Sequence, residues 1–170
     1  MFSLTGKTAI ITGSTSGIGR GIAEAFLAQG AKVVVSSESA DDTARVAAEL
    51  GATGIACDVT SAEQLEALVN GTIAAHGGLD ILVCNAGVTD KRGDNSVEEF
   101  DRVIAVNLRS QVALTNLALP HLEKRKGAII LIASIGGIRG NGFINAYALG
   151  KAATAQLARN IAVQWGPKGV

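Results

Sequence analysis

The sequence predicts an α/β fold, a doubly wound parallel sheet with helices on both faces. Three observations predict it. Short apolar runs of the kind buried parallel strands need recur along the chain. Segments of helical periodicity separate them, with no linker and no break in composition. A glycine-rich turn joins the first apolar run to the first helical segment, which is where such folds place a phosphate.

The first strand is Thr8-Ala9-Ile10-Ile11. It runs into Thr12-Gly13-Ser14-Thr15-Ser16-Gly17-Ile18-Gly19. A helix follows over 20–29, with Ile22, Ala23, Phe26 and Leu27 on one side and Gly30 at its C-terminal end. Glycines let the backbone approach a pyrophosphate, and the helix N-terminus offers free N–H groups and a positive dipole end. The spacing is G-x-x-x-G-x-G, and a tight turn without a ligand would need the same residues. Gly13, Ser14, Ser16, Gly17, Ile18 and Gly19 are the candidate cofactor contacts of this turn.

Lys32-Val33-Val34-Val35 reads as the second strand. Glu38 lies 19 residues past Gly19, where an acidic residue accepts hydrogen bonds from an adenosine ribose 2′-OH. A carboxylate there repels a 2′-phosphate, and no Arg or Lys occurs between Lys32 and Arg45. NAD is therefore the preferred cofactor, with NADP as the alternative. Ser36 and Ser37 suit either ribose form, and a solvated loop charge is the plain alternative for Glu38.

The pattern then repeats. A helix over 41–50 is closed by Gly51, and Gly54-Ile55-Ala56-Cys57 is a third strand leading to Asp58-Val59. Ser61-Ala62-Glu63-Gln64 resembles a capping box that opens a helix carrying Leu65, Leu68, Val69 and Ile73. Leu79-Asp80-Ile81-Leu82-Val83 is a fourth strand that ends in Cys84-Asn85-Ala86-Gly87. Ser96-Val97-Glu98-Glu99 again resembles a capping box, opening one long helix through Asn107 to about Leu122. Ala128-Ile129-Ile130-Leu131-Ile132 is a fifth strand ending at Ser134, and the last helix covers 143–165. The expected strand order is 3-2-1-4-5, with ligands at the carboxyl ends of the strands.

Composition excludes several classes. Lys plus Arg and Asp plus Glu both number 15, so no net charge invites nucleic acid or an anionic membrane. No apolar run approaches the roughly 20 residues of a membrane span, and Met1-Phe2-Ser3-Leu4-Thr5-Gly6 lacks the regions of a signal peptide. No metal-ligand cluster is present, and His76 and His121 stand alone. Cys57 and Cys84 fall on opposite sides of the first strand, so buried thiols in a reducing cytoplasm are expected rather than a disulfide.

Tyr147 and Lys151 are four residues apart and share one face of the last helix, about 6 Å apart along its axis. An ammonium beside a phenol favours the phenolate and brings a weak acid toward working pH. A half-buried aromatic beside a solvated charge has the same spacing. Together the motifs resemble one family. Thr12-Gly13-x-x-x-Gly17-Ile18-Gly19, Asp58-Val59, Asn85-Ala86-Gly87, Asn107, Ser134 and Tyr147-x-x-x-Lys151 occur in the order found in short-chain dehydrogenase/reductases, which are Rossmann-like.

The resemblance covers essentially the whole chain and implies roles. Tyr147 is then the general acid in carbonyl reduction and the base in alcohol oxidation. Lys151 assists it and binds the nicotinamide ribose. Ser134 hydrogen-bonds the substrate oxygen, and Asn107 holds a water that links Lys151 to solvent or ties off a helix kink. Asp58 and Val59 meet the adenine, while Asn85, Ala86 and Gly87 line the cofactor and brace the sheet. The substrate is a secondary alcohol or its ketone, with 3-oxoacyl-carrier-protein reduction as the alternative within enzymes. The resemblance also implies a homo-oligomer, a tetramer or dimer built on helices near 97–122 and 144–165.

The chain stops at Val170, where the resemblance places the start of a sixth strand. Residues 1–170 are thus expected to form a single cofactor-binding and catalytic domain truncated before that strand. It is either a fragment of a longer enzyme or a non-catalytic dinucleotide-binding or interaction module. Arg139, in the loop Ile135-Gly136-Gly137-Ile138-Arg139-Gly140-Asn141-Gly142 beside the expected pocket, is expected to point to solvent.

Overall fold

A computed structural model describes residues 2–91, 95–140 and 142–170; Met1 and Asn141 lie outside them. Five parallel strands form one sheet in the order β3-β2-β1-β4-β5. They are β1 (Thr8–Thr12), β2 (Lys32–Ser36), β3 (Thr53–Gly54), β4 (Ile81–Cys84) and β5 (Ala128–Leu131). Ile10 pairs with Val34 on one side and Leu82 on the other. Side chains alternate across a strand. Ile10, Val34 and Leu82 therefore enter one core cluster, while Ala9, Ile11, Val33, Val35, Ile81 and Val83 enter the other.

Helices α1 (Gly17–Ala28) and α2 (Ala40–Leu50) supply Ala23, Val46 and Ala47 to the second cluster. Helix α3 (Ala62–His76) supplies Leu65, Leu68 and Val69 to the first. Leu114, Ala118 and Leu122 of α5 (Ser110–Arg125) join them there. Both faces of the sheet are thus covered, as the near-continuous apolar strands require. The edge strand β5 differs from the centre, for its Ile130 is 40 % exposed.

Several elements depart from expectation; α1 begins three residues before, and β4 two residues after, the expected start. Regular pairing of the third strand is confined to Thr53–Gly54, although Ile55 and Cys57 still donate to the Val35 and Ser37 carbonyls at 3.0 and 2.8 Å. The third-strand segment therefore runs extended beside β2 to Cys57 without a full ladder. The long fourth helix is divided into α4 (Val97–Ile104), a π-helical turn (Ala105–Arg109) and α5. Single π turns of this kind are frequent at functional sites.

Both expected capping boxes are half formed. Ser61 Oγ and Ser96 Oγ accept from the Gln64 and Glu99 N–H groups. Gln64 Oε1, however, accepts from the Asp58 N–H at 2.8 Å, and the Glu99 carboxylate accepts from the Lys91 N–H at 2.6 Å and from Arg102. The last helix, α6 (Asn145–Trp165), begins two residues later than expected. Its first turn is capped from outside by Asp90, which accepts the Ala146 and Tyr147 N–H groups. No described helix is long and apolar enough to cross a membrane.

Candidate active site

The carboxyl ends of β1, β2 and β4 open on a cleft of about 440 Å³, within the usual range for a ligand site. Of the residues expected to contact a cofactor, Gly13, Ser16, Gly17, Ile18, Ser37, Glu38, Asp58, Val59, Asn85, Ala86 and Gly87 line it. Thr15, Cys57, Val88 and Val106 line it as well and were not expected. Cys57 was legible only as the last residue of a strand; Val106 carried no local signal, because the π turn places it. Among the described residues no lysine or arginine lines it.

Two expected contacts stand behind the wall. Ser14 is fully buried; its Oγ donates to the Ile11 carbonyl at 2.6 Å and accepts the Ser36 N–H at 2.9 Å. Ser14 thus ties β1 to β2. Gly19 packs so closely that a Cβ there would lie 2.4 Å from Asn85 Nδ2. Asn85 Nδ2 donates to the Thr12 and Gly13 carbonyls at 2.9 and 3.0 Å, and Thr12 Oγ1 accepts the Asn85 and Ala86 N–H groups. Thr12 and Asn85 together bind β1 to β4 at the cleft floor.

The cleft suits a dinucleotide. Helix α1 points its N-terminus at it, yet Ser16 makes no side-chain cap and the first turn holds no acidic residue. By contrast, α2, α3 and α4 are all capped by serine and carry acidic first turns. Free N–H groups and an uncompensated positive dipole end fit a pyrophosphate. Gly17, with φ at +54°, has nothing within 4 Å of where a Cβ would be, so that side is open. Glu38 and Asp58 put carboxylates at the same cleft. Asp58 Oδ1 already accepts from the Thr60 N–H and hydroxyl.

The chemistry-bearing residues meet beside Gly87 and Gly136. A Cβ on Gly136 would stand 3.5 Å from Ser134 Oγ and 3.6 Å from Tyr147 Cε1, so hydroxyl and ring face one gap. A Cβ on Gly87 would stand 3.7 Å from Lys151 Nζ. Lys151 Nζ lies 5.7 Å from the Tyr147 ring centroid and donates to the Ile132 carbonyl at 2.6 Å. Lys151 is 4 % exposed, and burial lowers its pKa from the usual lysine value.

Ser134 Oγ accepts the Gly136 N–H at 3.1 Å, which leaves its own proton free to donate. Asn107 lies inside the π turn. Its Oδ1 accepts the Val88 N–H at 2.8 Å and its Nδ2 donates to the Val88 carbonyl at 2.7 Å. Arg139 is exposed, as expected. Cys57 and Cys84 are free and buried, and burial pushes their thiols up to about 11 and about 12. Among the described residues no group of His, Cys, Asp and Glu is placed to hold a metal ion.

The chain is similar to known proteins in sequence and in fold. A family model described as short chain dehydrogenase matches residues 7–170. The human protein named dehydrogenase/reductase SDR family member 2, mitochondrial, is 37 % identical over 175 residues, covering 98 % of this chain and 62 % of its own length. The 7alpha-hydroxysteroid dehydrogenase of Escherichia coli K12 is 41 % identical over 174 residues, covering 98 % of this chain and 68 % of its own. Among solved structures, a 3-ketoacyl-(acyl-carrier-protein) reductase of Brucella melitensis complexed with NADH superposes with a TM-score of 0.94 at 32 % identity. It covers 98 % of this chain and 72 % of its own. The chain therefore spans under two thirds of the human relative's length.

Proposed function

The chain belongs to the short-chain dehydrogenase family, and from that premise we propose that it transfers a hydride between a nicotinamide dinucleotide and a secondary alcohol or its ketone. The observation that carries the reading is the convergence of Ser134, Tyr147 and Lys151 beside a dinucleotide-sized cleft. The nicotinamide supplies or accepts the hydride when bound. The chain's own residues manage the proton and the charge.

Tyr147 gives its proton to the carbonyl oxygen in reduction and takes the hydroxyl proton in oxidation. Lys151 assists from the next turn of the helix, its buried ammonium 5.7 Å from the Tyr147 ring centroid. Ser134 donates to the substrate oxygen and stabilises the charge that builds there. Asn107 has committed its amide to Val88. In this reading its main chain, in the π turn, holds the water that passes protons to Lys151. Gly13, Ser16, Gly17 and the α1 N-terminus hold the pyrophosphate, and Asp58 and Val59 meet the adenine.

Glu38, and the lack of a cationic lining residue among the described residues, support NAD over NADP. A second reading, 3-oxoacyl-carrier-protein reduction, has the Brucella melitensis structure in its favour. That reductase is complexed with NADH, so a preference for NAD is compatible with such a substrate. A non-catalytic module is the reading from another class.

A homo-oligomer, tetramer or dimer, is supported by the exposed apolar side chains Phe100, Val112, Leu149 and Val163 on the helices of one face. The buried, free thiols support a cytoplasmic setting.

The test is titration with NADH and NADPH by nicotinamide fluorescence, followed by ketone reduction with the wild type and with Tyr147→Phe. We expect NADH to bind more tightly, and Tyr147→Phe to keep that binding while losing roughly 10²–10⁴-fold in kcat. Tighter NADPH binding would overturn the cofactor choice. Binding without turnover of any ketone would favour the non-catalytic module.

A further inference from the structure

Helix α6 carries Tyr147 two residues from its start, and its N-cap residue Ile144 makes no side-chain cap. Left alone, the first turn would present unsatisfied N–H groups and would fray. Asp90 closes it from 56 residues away. One carboxylate oxygen accepts the Ala146 N–H at 2.9 Å, and the other accepts the Tyr147 N–H at 3.0 Å. A carboxylate at a helix N-terminus is also favoured by the macrodipole.

The segment that presents Asp90 is itself held at successive residues. Asn107 pins both polar groups of Val88, Arg102 donates to the Thr89 carbonyl at 2.9 Å, and Glu99 accepts the Lys91 N–H. The same segment continues back into Ala86 and Gly87 of the cofactor cleft. Asp90 is not among the cleft's lining residues. Ala86 and Gly87 have anchors of their own, Thr12 at Ala86 and Asn107 just beyond Gly87 at Val88.

We propose that Asp90 is a positioning residue: by clamping the first turn of α6 to the pinned segment 88–91, it sets where the Tyr147 phenol stands relative to Ser134 and the cofactor cleft. The clamp acts on the phenol through the backbone, one residue's N–H at a time, and needs no contact with substrate or cofactor. It gives the phenol a reference point on the cofactor side of the site that α6 does not contain. This inference rests on the reading of Tyr147 as the proton donor.

Tyr147 is the one tyrosine in the sequence, so ring-labelled [13C]tyrosine gives a single NMR signal that reads its surroundings without any substrate. Wild type, Asp90→Ala and Asp90→Asn are compared by that signal, by amide exchange at Ala146 and Tyr147, and by NADH-dependent reduction of ethyl acetoacetate. We expect Asp90→Ala to move the Tyr147 signal toward that of free tyrosine and to speed exchange of both amides roughly tenfold. It should lower kcat about tenfold or more, with KM for NADH within about twofold. Asp90→Asn, with one acceptor oxygen instead of two, should fall between the two.

A Tyr147 signal and amide exchange unchanged in Asp90→Ala would overturn the proposal. Should that variant not fold, Asp90→Asn decides: a displaced signal supports the clamp and an unmoved one overturns it. If the wild type neither binds NADH nor reduces the keto ester, the functional reading fails, while the tyrosine signal still decides the role of Asp90.

Discussion

Asn107 is 0 % exposed, and both polar ends of its amide are spent on Val88. A polar group in such a place must be paired, and the pairing brings segment 88–91 against the π turn. Glu99 serves the same segment. It is 3 % exposed, and hydrogen bonds from Arg102 and then from the Lys91 N–H hold its carboxyl down to about 2. Its pKa is depressed on folding, so the stabilisation it lends is complete above about 4.5 and is lost as pH falls through about 2. The urea midpoint of the wild type should therefore drop more between pH 4.5 and 2 than that of Glu99→Gln. Parallel curves for the two proteins would count against the pairing. Neither bond was legible from the sequence, where Glu99 looked like the partner of Ser96 three residues before it.

Among the elements, the short 3₁₀ turn Ile135–Gly137 after β5 matters most to the site, because it carries Ser134 against α6. Gly137 faces the helix backbone so closely that a Cβ would lie 2.5 Å from the Ala152 nitrogen and 2.7 Å from the Lys151 carbonyl carbon. Backbone cannot yield as a flexible side chain would. Gly137→Ala should cost about 1–3 kcal/mol of stability, and it should lower kcat by shifting the Ser134 hydroxyl relative to Tyr147. Denaturant melts together with turnover would show this; full activity at unchanged stability would mean the turn has room to slide. The sequence showed a flexible glycine loop here. It gave no sign that one of those glycines is the contact point of two elements.

At the scale of the molecule, Cys57 and Cys84 report on the core that holds the site. Both belong to the cluster on the α3 and α5 face, and Cys84 is 2 % exposed. Burial pushes their thiols to about 11 and about 12, so little thiolate exists near pH 8. A thiol reagent at that pH should label Cys84 only as fast as the protein unfolds, and bound NADH should slow labelling of Cys57 at the cleft wall. Labelling of Cys84 at the rate of a free thiol would show that the first core cluster is not closed.

Strand runs such as Val33-Val34-Val35, the turn Gly13–Gly19 and the Tyr147–Lys151 spacing are written within a few residues of one another. Strand order, the cleft and the family likeness were therefore legible from the sequence alone. The inward turn of Ser14, the bond from Gln64 to Asp58, the π turn around Asn107 and the Asp90 clamp were decided only by the tertiary structure. Each joins polar groups on different elements, six to 57 residues apart in the chain. Burial obliges such groups to find partners, and the topology of the strand ends, not local sequence, determines which partners are within reach.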